Sequence, residues 1–133
     1  MTLDGLLQMF CDAYWPSGIQ RPTWSERFDL RCEEAAKTTW PNADSAGVYA
    51  LLDESGAVLY IGKASMGASV GGRVFCHVAG GGAKFVAREG FGDVRWLRTV
   101  GVEESRRFIA PAIEEFLIDL LQPPLNRAGR NLQ

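Results

Sequence analysis

Residues 47–62, GVYALLDESGAVLYIG, decide how this chain folds. GVYALL and AVLYIG are rich in β-branched, aromatic and aliphatic side chains, and DESG between them is a turn sequence. The stretch therefore reads as a β-hairpin, with Gly47–Leu52 paired to Ala57–Gly62. Polar and apolar residues do not alternate cleanly along either arm, a pattern that belongs to strands covered on both faces. Farther along, Asp93–Val100 (DVRWLRTV) reads as a third strand. The expected fold class is α/β in the α+β sense: a small, mainly antiparallel three-stranded sheet centred on the hairpin and flanked by helices.

Between the hairpin and the third strand, Gly67, Gly71 and Gly72 flank Ser69 and Val70. A helix beginning there is expected to carry Arg73 and His77, with the GGG at 80–82 ending it. The span Glu103–Leu121 is helical in pattern but interrupted at Pro111. Proline is tolerated in a first turn and not in a helix interior, so a break or a fresh start is expected there. Pro123-Pro124 stops the helix, and Leu125-Asn126 leads into a polar tail.

On the other side, residues 1–45 read as a helical extension packed on a domain spanning 46–133. Leu3, Leu6, Leu7, Met9 and Phe10 predict a short amphipathic helix, broken by Trp15-Pro16-Ser17-Gly18. A second helix is expected over Ser25–Thr38 with Ser25 as its N-cap, followed by a turn at Pro41–Asp44. Trp15, Trp24 and Trp40 read as packing aromatics rather than a base-stacking platform.

The chain of 133 residues suits one domain with a real core, and its 47% hydrophobic content separates it from disordered chains. No apolar run approaches the ~18 residues of a membrane span, and MTLDGLLQMF lacks the basic n-region of a signal peptide. A cytoplasmic protein is expected. Cys11, Cys32 and Cys76 are odd in number, widely spaced and without a CxxC, which predicts reduced packing thiols rather than disulfides or a zinc site. A net charge of −2 and a pI of about 5.4 run against a free-standing nucleic-acid binder, because phosphate contacts supply most of such a protein's affinity. Position qualifies the sum. Acidic residues crowd the N-terminal part, whereas between Lys63 and Arg98 the basic residues Lys63, Arg73, Lys84, Arg88, Arg95 and Arg98 outnumber Glu89 and Asp93.

One acid stands where an acid is costly. At about 100° per residue, Ile113, Phe116, Leu117, Leu120 and Leu121 share one side of the last helix, extended by Ile118. Glu114 falls between Leu121 and Ile118 on the wheel, inside the apolar sector, while Glu115 and Asp119 fall on the wet side. A carboxylate aimed inward needs a partner or a metal. Glu114 is therefore a candidate ligand or a buried ion-pair partner.

These residues resemble the GIY-YIG nuclease family. Gly47-Val48-Tyr49 is similar to its GIY element and Tyr60-Ile61-Gly62 to its YIG element, with Lys63 and Ala64 completing a YIGKA stretch. Arg73 stands where that family has its helix-borne arginine, with Arg88 as the competitor for the role, and Glu114 where it has its metal-binding glutamate. Pro124-Leu125-Asn126 resembles the closing P-x-N element, with Asn126 twelve positions after Glu114. His77, expected on the same helical face as Arg73, resembles the histidine of the restriction branch.

The resemblance implies a divalent-metal-dependent endonuclease acting on DNA through one Mg²⁺ or Mn²⁺. Glu114 would hold the ion, with water and phosphate as its other ligands. Arg73 would contact the scissile phosphate. Tyr49 and Tyr60 would position or deprotonate the attacking water, Tyr49 as general base, with Lys63 or His77 lowering a phenol pKa that is ordinarily near ~10 or relaying the proton. Asn126 would order the site through hydrogen bonds. Two other classes stay open: a non-catalytic binding module keeping the fold, and an RNA-directed nuclease, since such a site reads phosphate and not the 2′-hydroxyl. The low pI makes a separate DNA-binding partner protein attractive.

Overall fold

The computed structural model describes residues 1–36, 38–79 and 84–126. In chain order its main elements are α1 (Leu3–Tyr14), β1 (Phe28–Asp29), β2 (Ala46–Leu52), β3 (Val58–Ala64), α2 (Val70–Phe75), β4 (Val78–Ala79), β5 (Val86–Ala87), β6 (Trp96–Val102) and α3 (Ile109–Leu121). The architecture is mixed α+β. One antiparallel sheet runs in the order β1-β6-β2-β3, and β4 and β5 form a separate small ribbon.

The hairpin forms as expected, with Tyr49 opposite Gly62 and Leu51 opposite Tyr60. Its turn is held by the Asp53 carboxylate, which accepts from the Ser55 and Ala57 amides, each at 2.9 Å. Every residue of β2 is buried, for the reason its broken alternation suggested. Val48, Ala50 and Leu52 pack with α1 and α3, whereas Tyr49 and Leu51 pack with Val70, Val74 and Val94 on the other face.

Both glycines that open and close the hairpin motifs answer to neighbours. A Cβ at Gly47 would overlap the Val100 carbonyl of β6, and one at Gly62 would overlap the Tyr49 phenol lying across it. These are packing requirements, not turn requirements.

The sheet has four strands rather than three, and the helix expected over Ser25–Thr38 does not form. Trp24 bridges Val100, and Phe28 and Asp29 pair with Leu97 and Trp96. Ser25 caps no helix; its Oγ accepts from the Thr99 amide at 3.0 Å. Leu30 becomes fully buried, and Arg95 pairs with Asp29 at 2.9 Å. Pairing along β6 outweighs a local helical preference worth only tenths of a kcal/mol per residue. A short 3₁₀ turn, Glu33–Ala36, is what remains of the helical tendency.

Residues 1–45 enter both cores: Leu3, Leu6, Leu7 and Phe10 pack with α3, and Leu30 packs under the opposite face. Thr2 caps α1 by accepting from the Gly5 amide at 3.0 Å. The three tryptophans are packing groups, with Trp24 in the core and its indole N–H donating to the Leu3 carbonyl. All three cysteines are free, but only Cys11 is buried and Cys76 is exposed. Pro111 falls in the first turn of α3, the fresh start expected of it. Leu120, placed on the apolar stripe by the wheel, is instead exposed. No helix among the described residues is long and apolar enough to cross a membrane.

Candidate active site

β3 is an edge strand of the sheet, and the segment after α3 closes that edge. The Leu125 amide donates to the Leu59 carbonyl at 2.9 Å. Asn126 then imitates a strand residue: its Oδ1 accepts from the Ile61 amide at 2.9 Å, and its Nδ2 donates to the Ile61 carbonyl at 2.8 Å. Asn126 is buried, so Asn126→Ala strands two backbone groups away from water. A loss of about 2–3 kcal/mol in unfolding free energy is expected, measurable by urea denaturation.

A cavity of about 820 Å³ lies along this edge. One wall comes from the Tyr49 side of the sheet, with His77, Arg88 and Phe91. The other comes from α3 and the segment after it, with Glu114 and Asn126, and Tyr60 of β3 lies between them. Four of the seven residues singled out in the sequence, Tyr60, His77, Glu114 and Asn126, thus line one space.

The other three stand around it. Tyr49 is fully buried beneath the cavity, its hydroxyl sharing a 3.0 Å hydrogen bond with His77 Nε2. Lys63, opposite Val48 in the hairpin, lies on the α3 side. Arg73 is exposed near the end of α2 and does not line the cavity. Its charge still reaches Tyr49, Tyr60, His77 and Glu114.

His77 is not carried by α2, which ends at Phe75. The GGG run expected to end that helix lies outside the described residues. His77 instead follows the helix cap and enters β4, where its ring stacks on Phe91 at 4.8 Å and meets Tyr60 at 4.7 Å. Its Nδ1 is buried without a hydrogen-bond partner among the described residues.

Burial dominates the titration of the site. It raises the Tyr49 phenol well above the ordinary tyrosine range, and it raises Tyr60 as well. It also raises Glu114, against the opposing pull of Lys63 and then Arg73. His77 is pushed down to about 4, first by burial and then by the charges of Arg88 and Arg73. At neutral pH the ring is therefore neutral and both phenols are protonated.

The unfolded chain takes up a proton on His77 near its ordinary pKa of ~6.5, while the folded chain resists until about 4. The His77 contribution to stability is therefore complete above ~6.5 and lost as pH falls towards 4. Between those limits the wild type is expected to lose on the order of 2–3 kcal/mol that a His77→Gln variant does not lose, read from melting curves at stepped pH.

Glu114 is half-buried and forms no ion pair among the described residues, whereas Glu115 and Asp119 are exposed, as the wheel indicated. No group of three or more His, Cys, Asp or Glu side chains is placed to hold a metal among the described residues. Of the three carboxylates that line the cavity, Glu89, Glu114 and Glu115, Glu114 is the half-buried one, and one or two carboxylates with several waters is a donor set that Mg²⁺ takes. Phe91 was missed in the sequence; an aromatic after Arg88-Glu89-Gly90 gives no signal until the β4–β5 ribbon folds it back on His77. Comparison with known proteins finds no family model that matches the chain, and no curated protein or solved structure that matches it.

Proposed function

We propose that this chain is a divalent-metal-dependent endonuclease of the GIY-YIG type, hydrolysing phosphodiester bonds in DNA. The observation that carries this reading is the convergence of Tyr60, His77, Glu114 and Asn126, from four separate segments, on one cavity. Support for the finer fold comes from the two tripeptides lying on adjacent strands, with Tyr49 opposite Gly62 and a packing reason for both of their glycines.

Glu114 is the residue that would hold Mg²⁺ or Mn²⁺. When bound, the ion supplies positive charge against the phosphoryl oxygens and the leaving 3′-oxygen. Lys63 and Arg73 favour the ionised form of Glu114, the form a metal requires. Arg73 offers a guanidinium fork to the phosphate as the strand passes α2.

Tyr60 is the tyrosine that lines the cavity, and its hydroxyl orients the attacking water. Tyr49 is too buried to meet that water directly and acts behind Tyr60. Its hydroxyl shares the 3.0 Å hydrogen bond with the neutral His77 ring, which also meets the Tyr60 ring, so the three side chains fix the position of the water rather than take up its proton. Asn126 holds the strand that carries Tyr60. The net charge of −2 leaves little non-specific affinity for a duplex, so a DNA-binding partner protein fits this reading.

The test is cleavage of matched DNA and RNA strands with Mg²⁺ or Mn²⁺ by wild type, Arg73→Ala and Tyr60→Phe. Cleavage of DNA, reduced roughly 10²-fold or more in both variants, is the expected result. Cutting of RNA alone would transfer the activity to RNA, and cutting untouched by either substitution would refute the assigned site.

A further inference from the structure

The cavity holds three carboxylates, Glu89, Glu114 and Glu115, and one cationic side chain, Arg88. A phosphodiester is an anion, and an acidic cavity repels it unless fixed positive charge stands inside. Arg73 does not line this space. Arg88 does.

Its position is tied to the site rather than left to a loose loop. The Arg88 amide donates to the His77 carbonyl at 2.7 Å, and the Phe91 amide donates back to the Arg88 carbonyl at 2.8 Å. The guanidinium lies 5.7 Å from the Phe91 ring centroid, and that ring stacks on His77.

Its charge is also unspent. Among the described residues Arg21, Arg95, Arg98, Arg106 and Arg107 form ion pairs with carboxylates, and Arg31 donates to the Gly92 and Val94 carbonyls. Arg88 has no carboxylate partner there, although Glu89 is its neighbour. It is exposed, and its field reaches both Tyr60 and His77. An arginine with no carboxylate partner among the described residues, facing an acidic cavity that already carries a candidate metal ligand, is placed for an incoming anion.

We propose that Arg88 is a second phosphate-binding arginine, gripping the substrate backbone from the wall opposite Glu114 while Arg73 contacts it from α2. This rests on the nuclease reading above and adds where the strand runs: across the β3 edge, between the Arg88–Phe91 turn and α3. Two guanidiniums on separate elements fix two points of a backbone, which orients the scissile bond as well as attracting it.

The experiment uses the full chain carrying Glu114→Gln, so that bound substrate is not consumed. Anisotropy of a fluorescein-labelled DNA duplex, and of its single strand, is measured with Arg88, Arg88→Ala and Arg88→Lys from about 50 to about 200 mM salt. Arg88→Ala is expected to weaken binding roughly tenfold and to lower the slope of log affinity against log salt by about one. Arg88→Lys restores the slope, because a point charge still neutralises phosphate, while in the otherwise wild-type chain it leaves kcat reduced, because the fork is gone. An unchanged slope and affinity in Arg88→Ala, with cleavage by the wild type intact, would overturn the role of Arg88 and leave the nuclease standing. An Arg88-dependent slope with no cleavage on any strand would do the reverse. Absence of binding with wild-type cleavage intact would overturn the role of Arg88 alone, and absence of both binding and cleavage would overturn the nuclease reading as well.

Discussion

Glu114→Gln is expected to lower metal-dependent cleavage by about three orders of magnitude, the scale on which single charge-stabilising groups act in hydrolytic sites. The substitution keeps the shape of the side chain and removes the charge that a divalent ion needs. Its effect on the fold runs the other way. Glu114 is a half-buried carboxylate whose pKa is raised by burial and which has no ion-pair partner among the described residues. A group whose folded pKa is raised costs stability once the pH exceeds its unfolded value, here the ordinary ~4.5 of a glutamate. Without divalent ions at neutral pH, Glu114→Gln should therefore melt no lower than the wild type, and Mg²⁺ should raise the melting temperature of the wild type alone. Loss of activity with unchanged or improved stability is the signature of a residue kept for function. A Glu114→Gln variant that melts several degrees lower would show instead that Glu114 is structural.

Gly62→Ala is the second large effect, and it acts through Tyr49. An added methyl group at Gly62 overlaps the Tyr49 ring, which has no free space because Tyr49 is fully buried. Overpacking of this kind costs about 1–3 kcal/mol. The phenol must move, and its 3.0 Å contact with His77 is the bond that breaks. A displacement of about 1 Å near reacting groups costs on the order of 10² in rate. Cleavage is expected to fall by at least that factor while the protein stays folded, as judged by circular dichroism and a cooperative melt. Ser55→Ala, in the same hairpin but away from the cavity, is the matched control. Full activity in Gly62→Ala would mean that Tyr49 is a core aromatic with no part in the chemistry.

The hairpin was legible because its signals are local: strand-forming residues on either side of a turn whose aspartate organises the chain. Glu114 was legible because helical periodicity is local too, and the wheel separated it correctly from Glu115 and Asp119. The reading failed where a segment is shaped by a distant partner. Residues 25–38 look helical until β6, some seventy positions later in the chain, offers Thr99 and Leu97 as pairing partners. His77 looked helical by its spacing from Arg73, but α2 is too short to reach it, and the β4–β5 ribbon places it instead. Arg88 is the same case, since nothing in its own neighbourhood announces the cavity it lines. Asn126 was expected to order the site and does hold the β3 edge, although only the fold shows that it does so by standing in for a strand.

The most direct test is the nicking of supercoiled plasmid by purified wild-type protein with Mg²⁺ and with EDTA, beside Glu114→Gln. The site described above predicts nicking that requires the metal and disappears with the carboxylate. Nicking that persists in EDTA or in Glu114→Gln, or no nicking of plasmid, single strand or RNA under any metal condition, would contradict it.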